Sequence, residues 1–232
     1  MTHKTASKTA GGNAGETEKQ SQENSLFEIA RRIQALAQAG LAYVRDRFDE
    51  NRYRELLDIA AALMAQSSNT EKQTLAELFI DEKGYATPKV GVRCAVFRNG
   101  RILLVREKTD GLWALPGGWA DTGFSLKENA EKEVLEESGL MVEAVRLLAV
   151  RDNHKCTDRP KHPFHTYEFF FHCTEKPGAA TRHEFAENPE TSVARFFEID
   201  DLPPLSTHRT TAGHIRMCCD RVSRETVETY FE

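Results

Sequence analysis

The sequence has no excess of basic residues and no long apolar run. Its 31 lysine and arginine residues are outnumbered by 36 aspartate and glutamate residues, which gives a formal net charge of −5. Nonspecific binding of duplex nucleic acid needs a basic surface, so we expect no such partner. No apolar run approaches the roughly 20 residues that cross a bilayer, so we expect no membrane partner.

Cysteine is scarce and irregularly spaced. The five cysteines, at positions 94, 156, 173, 218 and 219, match no zinc-ribbon pattern. Their number is odd, and the first residues lack the apolar core of a secretion signal. We therefore expect reduced thiols in a cytoplasmic protein. Adjacent Cys218 and Cys219 point in different directions on a helix, which favours packing over a redox pair.

Residues 1–25 contain no valine, leucine, isoleucine or aromatic residue. Such a segment cannot bury enough apolar surface to offset the entropy of ordering, so it is predicted to be a disordered tail. Its composition indicates no function.

Residues 26–82 show the three- and four-residue apolar spacing of helices. The first helix has its apolar positions at Leu26, Ile29, Ile33, Leu36 and Ala37, and Gly40 is its predicted end. A second helix is predicted from about Asp49, its cap, and a third from Thr70 to Phe79, with Thr70 and Gln73 as a possible capping box. Three such helices are marginally stable alone. We expect a small all-helical domain that packs on the next domain or forms a homodimer.

Residues 83–89 are predicted to be a linker, and residues 90–232 a second domain. Asn99-Gly100 is a strong hairpin signal between two alternating strands. The predicted strands are Val90–Phe97, Arg101–Arg106, Trp113–Leu115, Val142–Arg151, Thr166–Cys173 and Val193–Ile199. With an internal helix and a final one over about Thr211 to Thr229, this order indicates an α/β fold with a mixed sheet between helices.

The internal helix follows a glycine pair, Gly117-Gly118. Ser125 and Glu128 form a capping box at its start, and Gly139 suits a left-handed end. Between these signals, Glu133, Glu136 and Glu137 fall within an arc of roughly 100° on one face. Like charges at this spacing cost roughly 0.2–0.5 kcal/mol per pair, and acidic residues in the last turn oppose the helix dipole.

A bound divalent cation would reverse both penalties, since clustered carboxylate oxygens are the ligands that Mg²⁺ prefers. The alternative is an ordinary exposed charged helix. The glycine loop and the two caps favour the metal site. Glycines there allow the backbone to approach an ion or a phosphate, although glycine pairs more often mark simple turns.

The stretch from Gly117 to Leu140 is similar to the Nudix box: a glycine, five residues, a glutamate, seven residues, then Arg-Glu-apolar-x-Glu-Glu-x-Gly-apolar. The match runs from Gly118 to the segment 132–140, KEVLEESGL. Phe124 stands where the pattern has its first glutamate, and Lys132 where it has its arginine. In the family this pair braces the metal-binding carboxylates, so its loss leaves that support in question.

The resemblance implies a Nudix-type α/β/α sandwich and a function. Family members hydrolyse the pyrophosphate bond of a nucleoside diphosphate linked to a group X, with Mg²⁺ or Mn²⁺ as cofactor. The helical segment resembles the branch that acts on ADP-ribose or CDP-choline. The implied ligands are Glu133, Glu136, Glu137 and the Gly117 carbonyl. A catalytically weakened nucleotide sensor is the alternative, because Phe124 and Lys132 depart from the pattern.

Further site residues are predicted from their place in the chain. Family members often recruit a loop carboxylate as ligand or base, and Glu190 is chosen over Glu184 and Glu187 because it lies shortly before a strand. Substrate binding is assigned to Gly117, Gly118 and three arginines that could grip phosphates, Arg93, Arg106 and Arg151. Trp113, Trp119 and Tyr167 are left open as stacking partners for a base.

A zinc site is a further alternative, built from His154, Cys156, His162, His165 and Cys173. Their spacing matches no standard closed site, and the segment has the composition of a loop, so this alternative is not favoured.

Overall fold

The computed structural model describes residues 12–156, 159–177, 185, 188–224 and 228–231, with side chains described from residue 26 onward. The chain divides into two compact units, Met1–Thr87 and Pro88–Glu232. The boundary falls inside the segment 83–89 that the sequence analysis predicts as a linker. None of the described helices is apolar enough over a sufficient length to span a bilayer.

The first unit consists of three helices: α1 (Gly12–Tyr43), α2 (Arg47–Gln66) and α3 (Lys72–Asp81). Their buried apolar side chains are Phe27, Ala30, Ala37, Leu57, Ala60, Ala61, Met64, Leu75 and Phe79. The predicted small N-terminal helical domain is therefore present.

The start of α1 differs from the prediction of a disordered tail. The helix begins at Gly12, so the part of the tail from residue 12 to 25 is helical, while residues 1–11 lie outside the described residues. The physical reason is cooperativity: once the half of α1 with buried side chains has formed, each added glutamine, lysine or glutamate contributes a backbone hydrogen bond at little cost.

Three other helix boundaries also differ. Helix α1 passes through Gly40, where an added Cβ would lie 2.4 Å from the ring of Tyr53, so this glycine permits close contact with α2. Helix α2 is capped by Asp46, which accepts from the backbone of Asp49, the residue predicted as the cap. Helix α3 follows Glu71 with no side-chain cap, in place of the predicted capping box at Thr70.

The second unit contains a seven-stranded mixed sheet. Its strands are β1 (Lys89–Arg98), β2 (Arg101–Glu107), β3 (Trp113–Ala114), β4 (Val142–Asp152), β5 (Thr166–Glu175), β6 (Thr191–Phe197) and β7 (Tyr230–Phe231). The order is β3-β2-β1-β5-β4-β7, and β6 also pairs with β2. The β1–β5 and β4–β7 pairs are parallel, and the others are antiparallel. Asn99 and Gly100 turn β1 into β2 with positive φ, as predicted.

Helices α4 (Leu126–Ser138) and α5 (Ala212–Ser223) complete the unit. One core cluster joins Ala130 and Val134 of α4 to Val92, Cys94 and neighbouring strand residues. A second cluster joins Ile215 and Cys218 of α5 to Ala95, Leu148 and Phe170. Because residues 92 and 94 face α4 while residue 95 faces α5, the sheet lies between the two helices, which confirms the predicted α/β sandwich.

The last helix is shorter than predicted. It begins after Thr211, which caps it in a capping box with His214, but it ends at Ser223 instead of Thr229. Thr229 donates from Oγ1 to the Leu147 carbonyl at 3.0 Å, and the next two residues form β7 alongside β4. Pairing with β4 therefore replaces the last helical turns.

Candidate active site

The glycine loop is held against the end of β1. Pro116 and Gly118 accept hydrogen bonds from the amides of Cys94 and Val92 at 2.8 and 2.9 Å. Gly117 has φ +145°, and a Cβ there would lie 2.1 Å from the carbonyl oxygen of Val92. No other residue fits this position, so the backbone at 117 is fixed next to the sheet.

Helix α4 has the caps that the sequence predicts. Ser125 and Glu128 form a reciprocal capping box, and Gly139 ends the helix in the left-handed region with φ 73°. At the same end, Asn188 Nδ2 donates to the Glu136 carbonyl at 2.8 Å and Thr191 Oγ1 to the Glu137 carbonyl at 2.9 Å. These bonds satisfy carbonyls that a helix end leaves without partners.

Two of the three predicted glutamates turn inward to the glycine loop. Glu137 is 2% exposed, and its Oε2 accepts from the Gly117 amide at 2.7 Å. Glu133 is buried, and an added Cβ at Gly118 would lie 3.0 Å from both of its carboxylate oxygens. Burial raises the pKa of both carboxyls, that of Glu137 to about 8. Their ionised forms are therefore short of compensating charge.

The third glutamate, Glu136, turns outward. Its Oε2 accepts from Lys132 Nζ at 2.7 Å, and its side chain is 56% exposed. Among the described residues, no three acidic, histidine or cysteine side chains converge closely enough to hold a metal ion. The reason is local: Lys132 holds Glu136 on the surface, while the Gly117 amide and Arg209 hold the two oxygens of Glu137.

The positions that depart from the Nudix box have their own surroundings in the structure. Lys132, in place of the arginine, contacts Asp121 Oδ2 at 3.2 Å as well as Glu136. Phe124, in place of the glutamate, is 52% exposed. The loop is instead held by buried Asn129, whose Oδ1 accepts from the Asp121 amide at 2.8 Å. Lys132 and Asn129 thus both contact Asp121 in the loop before α4.

Two site residues were not found from the sequence, Glu107 and Arg209. Arg209 Nη1 donates to Glu107 Oε2 at 2.8 Å, and its Nη2 donates to Glu137 Oε1 at 3.2 Å and to the Gly117 carbonyl. Glu107 is 2% exposed, and burial raises its pKa against the effect of Arg209. A charged residue at the end of a buried strand was a weak signal for Glu107. Arg209 lies in a loop and gave none.

Of the three predicted arginines, Arg93 joins this network. Its Nη1 donates to the Gly117 carbonyl at 2.6 Å, and its Nη2 to Glu168 Oε1 at 3.2 Å. Arg159 Nη1 donates to the other oxygen of Glu168 at 3.0 Å. Although burial opposes ionisation, the two guanidinium groups hold the pKa of Glu168 below its usual range.

The other two predicted arginines bond elsewhere. Arg106 is exposed and donates from Nε to the Gly111 carbonyl at 2.8 Å. Arg151 donates from Nη2 to Cys156 Sγ at 3.2 Å and lies over the ring of Tyr230. The bonds described for these two arginines are therefore made away from the glycine loop.

The loop glutamate Glu190 lies at the rim of the site. Its carbonyl accepts from the Lys108 amide at 2.9 Å, next to Glu107. Its negative charge contributes to raising the pKa of both Glu133 and Glu107. Glu184 and Glu187, the two alternatives, lie outside the described residues.

The three aromatic candidates differ in exposure. Trp113 packs on Phe197 with 4.7 Å between ring centroids, and Tyr167 packs on His165 at 4.9 Å. Trp119 directly follows the glycine loop and is 51% exposed, with the His162 ring 5.9 Å away. Tyr167 is also exposed, at 36%, so Trp119 is the most exposed of the three rings and the one that directly follows the loop.

The residues of the zinc alternative are spread over different surroundings. Cys173 is buried in the core beneath α4, and His154 stacks on His165 at 5.4 Å. His165 Nε2 contacts Asp152 Oδ1 at 2.9 Å, and all five cysteines are free thiols. Within the described part of the chain, these side chains form no group of three metal ligands.

The mixed sheet between two helices, with a glycine loop held on the acidic face of one helix, places the chain in the class of α/β/α sandwiches. Residues 87–217 match the family described as NUDIX domain, and residues 24–79 match a family described as UDP-X-like, N-terminal oligomerisation domain. The chain therefore belongs to the Nudix family, which confirms the resemblance of its box.

Relatives cover both domains. A Bacillus subtilis (strain 168) protein, YjhB, whose name provisionally assigns it as an ADP-ribose pyrophosphatase, is 45% identical over 89% of this chain and 96% of its own length. A crystal structure of a UDP-X diphosphatase is 30% identical, with TM-score 0.57, over 90% of this chain and 99% of that one. An ADP-ribose pyrophosphatase structure from Streptococcus suis 89-1591 is 42% identical, with TM-score 0.55, over 63% of this chain and 100% of that one.

Proposed function

We propose that this Nudix hydrolase cleaves the pyrophosphate bond of a nucleoside diphosphate linked to X, of the ADP-ribose or CDP-choline type, in a reaction that depends on a divalent cation. Water attacks one phosphorus, the bond from that phosphorus to the bridging oxygen breaks, and the products are a nucleoside monophosphate and phospho-X. The observation that carries the proposal is the pair of buried carboxylates, Glu133 and Glu137, held against the backbone of Gly117 and Gly118. The names of the relatives support the substrate class.

The donor set suits a hard cation. Glu133, Glu137 and the Gly117 carbonyl offer oxygen atoms, the ligand type of Mg²⁺ and Mn²⁺, and Glu136 could join by leaving Lys132. The raised pKa of both inward glutamates fits this assignment, because their ionised forms need a cation that the protein only partly supplies. A bound ion would neutralise diphosphate oxygens and lower the pKa of a water molecule.

Three further residues of the site have proposed roles in holding the loop, the cation and the substrate. Arg93 fixes the Gly117 carbonyl and is itself held by Glu168, so it stabilises the loop on which the substrate would lie. Glu190 is proposed as the additional ligand or general base, since its charge acts on Glu133 from the opposite loop. Trp119 is proposed as the ring on which a nucleobase stacks, because it is exposed next to Gly118.

A substrate screen tests this proposal. The full chain is incubated with ADP-ribose, CDP-choline and UDP-linked sugars in Mg²⁺ or Mn²⁺, and an added phosphatase releases phosphate only from cleaved products. We expect turnover of at least one of these compounds, and a loss of about 100-fold or more in Glu133→Gln and Glu137→Gln. Glu143→Gln is the control, because that carboxylate forms a surface pair with Lys127.

The same screen separates the competing function. Tight nucleotide binding without turnover, in both metals, would replace hydrolysis with the catalytically weakened sensor. Full activity of Glu137→Gln would instead show that the site is assigned wrongly, since that side chain is the most buried of the three glutamates.

We also propose that the helical unit forms a homodimer. Ile29, Leu36 and Tyr43 are 50%, 67% and 71% exposed, and they recur every seven residues on α1. Seven residues are close to two helical turns, so these side chains form one apolar stripe on the solvent side of the helix. The match to a family described as an oligomerisation domain supports this interface.

Light scattering tests the dimer. The wild type is expected at twice the chain mass and Leu36→Asp at the mass of one chain, because a carboxylate cannot be buried unpaired in an apolar interface. Arg52→Asp, which changes an exposed residue on α2, is the control and should leave the mass unchanged. A monomeric wild type would refute the interface.

A further inference from the structure

Arg209 lies in a loop that is fixed to the segment leading into the glycine pair. The Ser206 amide donates to the Trp113 carbonyl at 2.8 Å, and the Leu115 amide donates to Thr210 Oγ1 at 2.9 Å. Thr210 is fully buried, and its amide donates to the Ser206 carbonyl at 2.7 Å. The backbone of Arg209 is therefore held in place relative to the active-site loop, and only its side chain can move.

The guanidinium group of Arg209 bridges three elements. Nη1 is bonded to Glu107 at the end of β2, and Nη2 is bonded to Glu137 of α4 and to the carbonyl of Gly117. The two acceptors of Nη2 are also two of the oxygen donors proposed for the divalent cation. A cation and Nη2 cannot both occupy the space in front of these oxygens.

The ion pairs of Arg209 differ from the neighbouring cluster around Glu168. There, each carboxylate oxygen has its own guanidinium, from Arg93 or Arg159. In contrast, only one oxygen of Glu107 has a guanidinium partner: Glu107 Oε1, like the Nε atoms of both Arg209 and Arg93, is buried without a hydrogen-bond partner in the described part of the chain. The second cluster is thus incompletely satisfied, which is unusual for a purely structural ion pair.

The balance of charges also indicates that the cluster around Arg209 is incompletely satisfied. The carboxylates of Glu107 and Glu137 share one guanidinium, Arg209, because Arg93 is engaged by Glu168. The cluster therefore keeps a demand for positive charge that a divalent cation would meet.

We propose that Arg209 is a resident cation of the active site, which occupies Glu137 and the Gly117 carbonyl when no divalent ion is bound and leaves them, while still anchored to Glu107, when the ion binds. Arg209 is then a positioning residue: it holds the carboxylate and the loop in place before metal binding and lowers the apparent metal affinity by competition. This inference rests on the metal site of the proposed function.

Metal binding and unfolding of Arg209→Met test the exchange. Mn²⁺ affinity is measured from the electron paramagnetic resonance signal of free Mn²⁺ at fixed pH and ionic strength. We expect Arg209→Met to bind Mn²⁺ about tenfold more tightly than the wild type, because a competing unit charge within a few ångström is gone. Without metal the variant should unfold at lower urea concentration, and Mn²⁺ should stabilise it more than it stabilises the wild type.

The controls separate this inference from the metal assignment. Arg101→Met removes an exposed arginine that pairs with Glu198, and it should change neither quantity. If Glu137→Gln abolishes Mn²⁺ binding while Arg209→Met binds as the wild type does, or more weakly, the exchange is refuted and the metal site stands. If the wild type binds no Mn²⁺, or Glu137→Gln binds it unchanged, both are refuted.

A measurement on the wild type tests the exchange even if Arg209→Met fails to fold. The ¹⁵N resonance of Arg209 Nε, identified by its absence in Arg209→Lys, should shift when diamagnetic Mg²⁺ is added, because Nη2 changes its partners. The resonance of Arg98 Nε serves as the reference, since it donates to Glu175 Oε1 at 2.8 Å and not to a proposed metal ligand. An Arg209 resonance that stays fixed at saturating Mg²⁺ would refute the exchange.

Discussion

Replacing Gly117 with alanine should lower the free energy of unfolding of the Nudix domain far more than the same change at Gly118 or Gly123. The new Cβ would lie 2.1 Å from the Val92 carbonyl oxygen and 3.0 Å from the Arg93 Cα, both of which are backbone atoms. Since β1 pairs with β5 over eight residues, this backbone cannot retreat. The positive φ alone costs about 1–3 kcal/mol, and with the clash we expect a loss of about 4 kcal/mol or more.

Two neighbouring glycines separate the causes of this loss. Gly123 has φ +90° but no atom within 4 Å of an added Cβ, so Gly123→Ala measures the backbone cost alone, about 1–2 kcal/mol. A Cβ at Gly118 would meet the mobile end of Glu133 at 3.0 Å. Gly118→Ala should therefore cost under about 1 kcal/mol in stability, but it should lower activity because it displaces that carboxylate.

Tryptophan fluorescence during urea unfolding is the appropriate assay. The chain has two tryptophans, Trp113 and Trp119, and both belong to the unit Pro88–Glu232, so the signal reports the Nudix domain and not the helical one. The free energy of unfolding follows from the midpoint and slope of each titration. If Gly117→Ala costs no more than Gly123→Ala, the close approach of the loop to β1 is wrong.

Three further changes test the electrostatics and the caps. The pKa of Glu137 is raised from 4.5 to about 8 in the metal-free protein, so the folded state binds more protons than the unfolded state between these values. The free energy of unfolding therefore falls as pH rises through about 8. Glu137→Gln should reduce that slope by up to about 1.4 kcal/mol per pH unit in urea titrations. Glu168→Gln should lower the free energy of unfolding by about 3 kcal/mol, because Arg93 and Arg159 stay buried against a neutral amide. The control, Glu198→Gln at an exposed pair, should lower it by under about 0.5 kcal/mol. Thr191→Val should cost about 1–3 kcal/mol, since the Glu137 carbonyl loses its buried donor, and equal stability to the wild type would refute that cap.

The parts of the site that the sequence predicts are local ones. The capping box at Ser125, the left-handed Gly139 and the acidic face between them depend on residues within one helix, and each is present. The hairpin at Asn99-Gly100 is equally local. Neighbouring residues decide such features, so their spacing in the sequence is enough to find them.

The parts that the sequence analysis missed depend on distant residues. Arg209 and Glu107 are 102 positions apart, and only the packing of the loop before α5 onto the end of β2 brings them together. On α1, the helical period was correct but the buried face was not, because Ile29 and Leu36 are exposed while Gln34 and Gln38 are buried and bond to each other at 2.8 Å. Apolar spacing cannot tell a buried apolar face from an exposed one, and it cannot reveal a polar pair that is satisfied internally.

The acidic face of α4 has two different ways of relieving its own repulsion. Glu136 is neutralised on the surface by Lys132, which also contacts Asp121, so it costs little and needs no ion. Glu133 and Glu137 are buried, and burial raises the pKa of both carboxyls even though Lys132 acts on Glu133 and Arg209 on both. If these glutamates served only to make the helix soluble, we would expect all three side chains to be exposed. The inward pair, of which Glu137 is bonded to a glycine that no other residue can replace, is therefore the part of the face that the proposed cation explains.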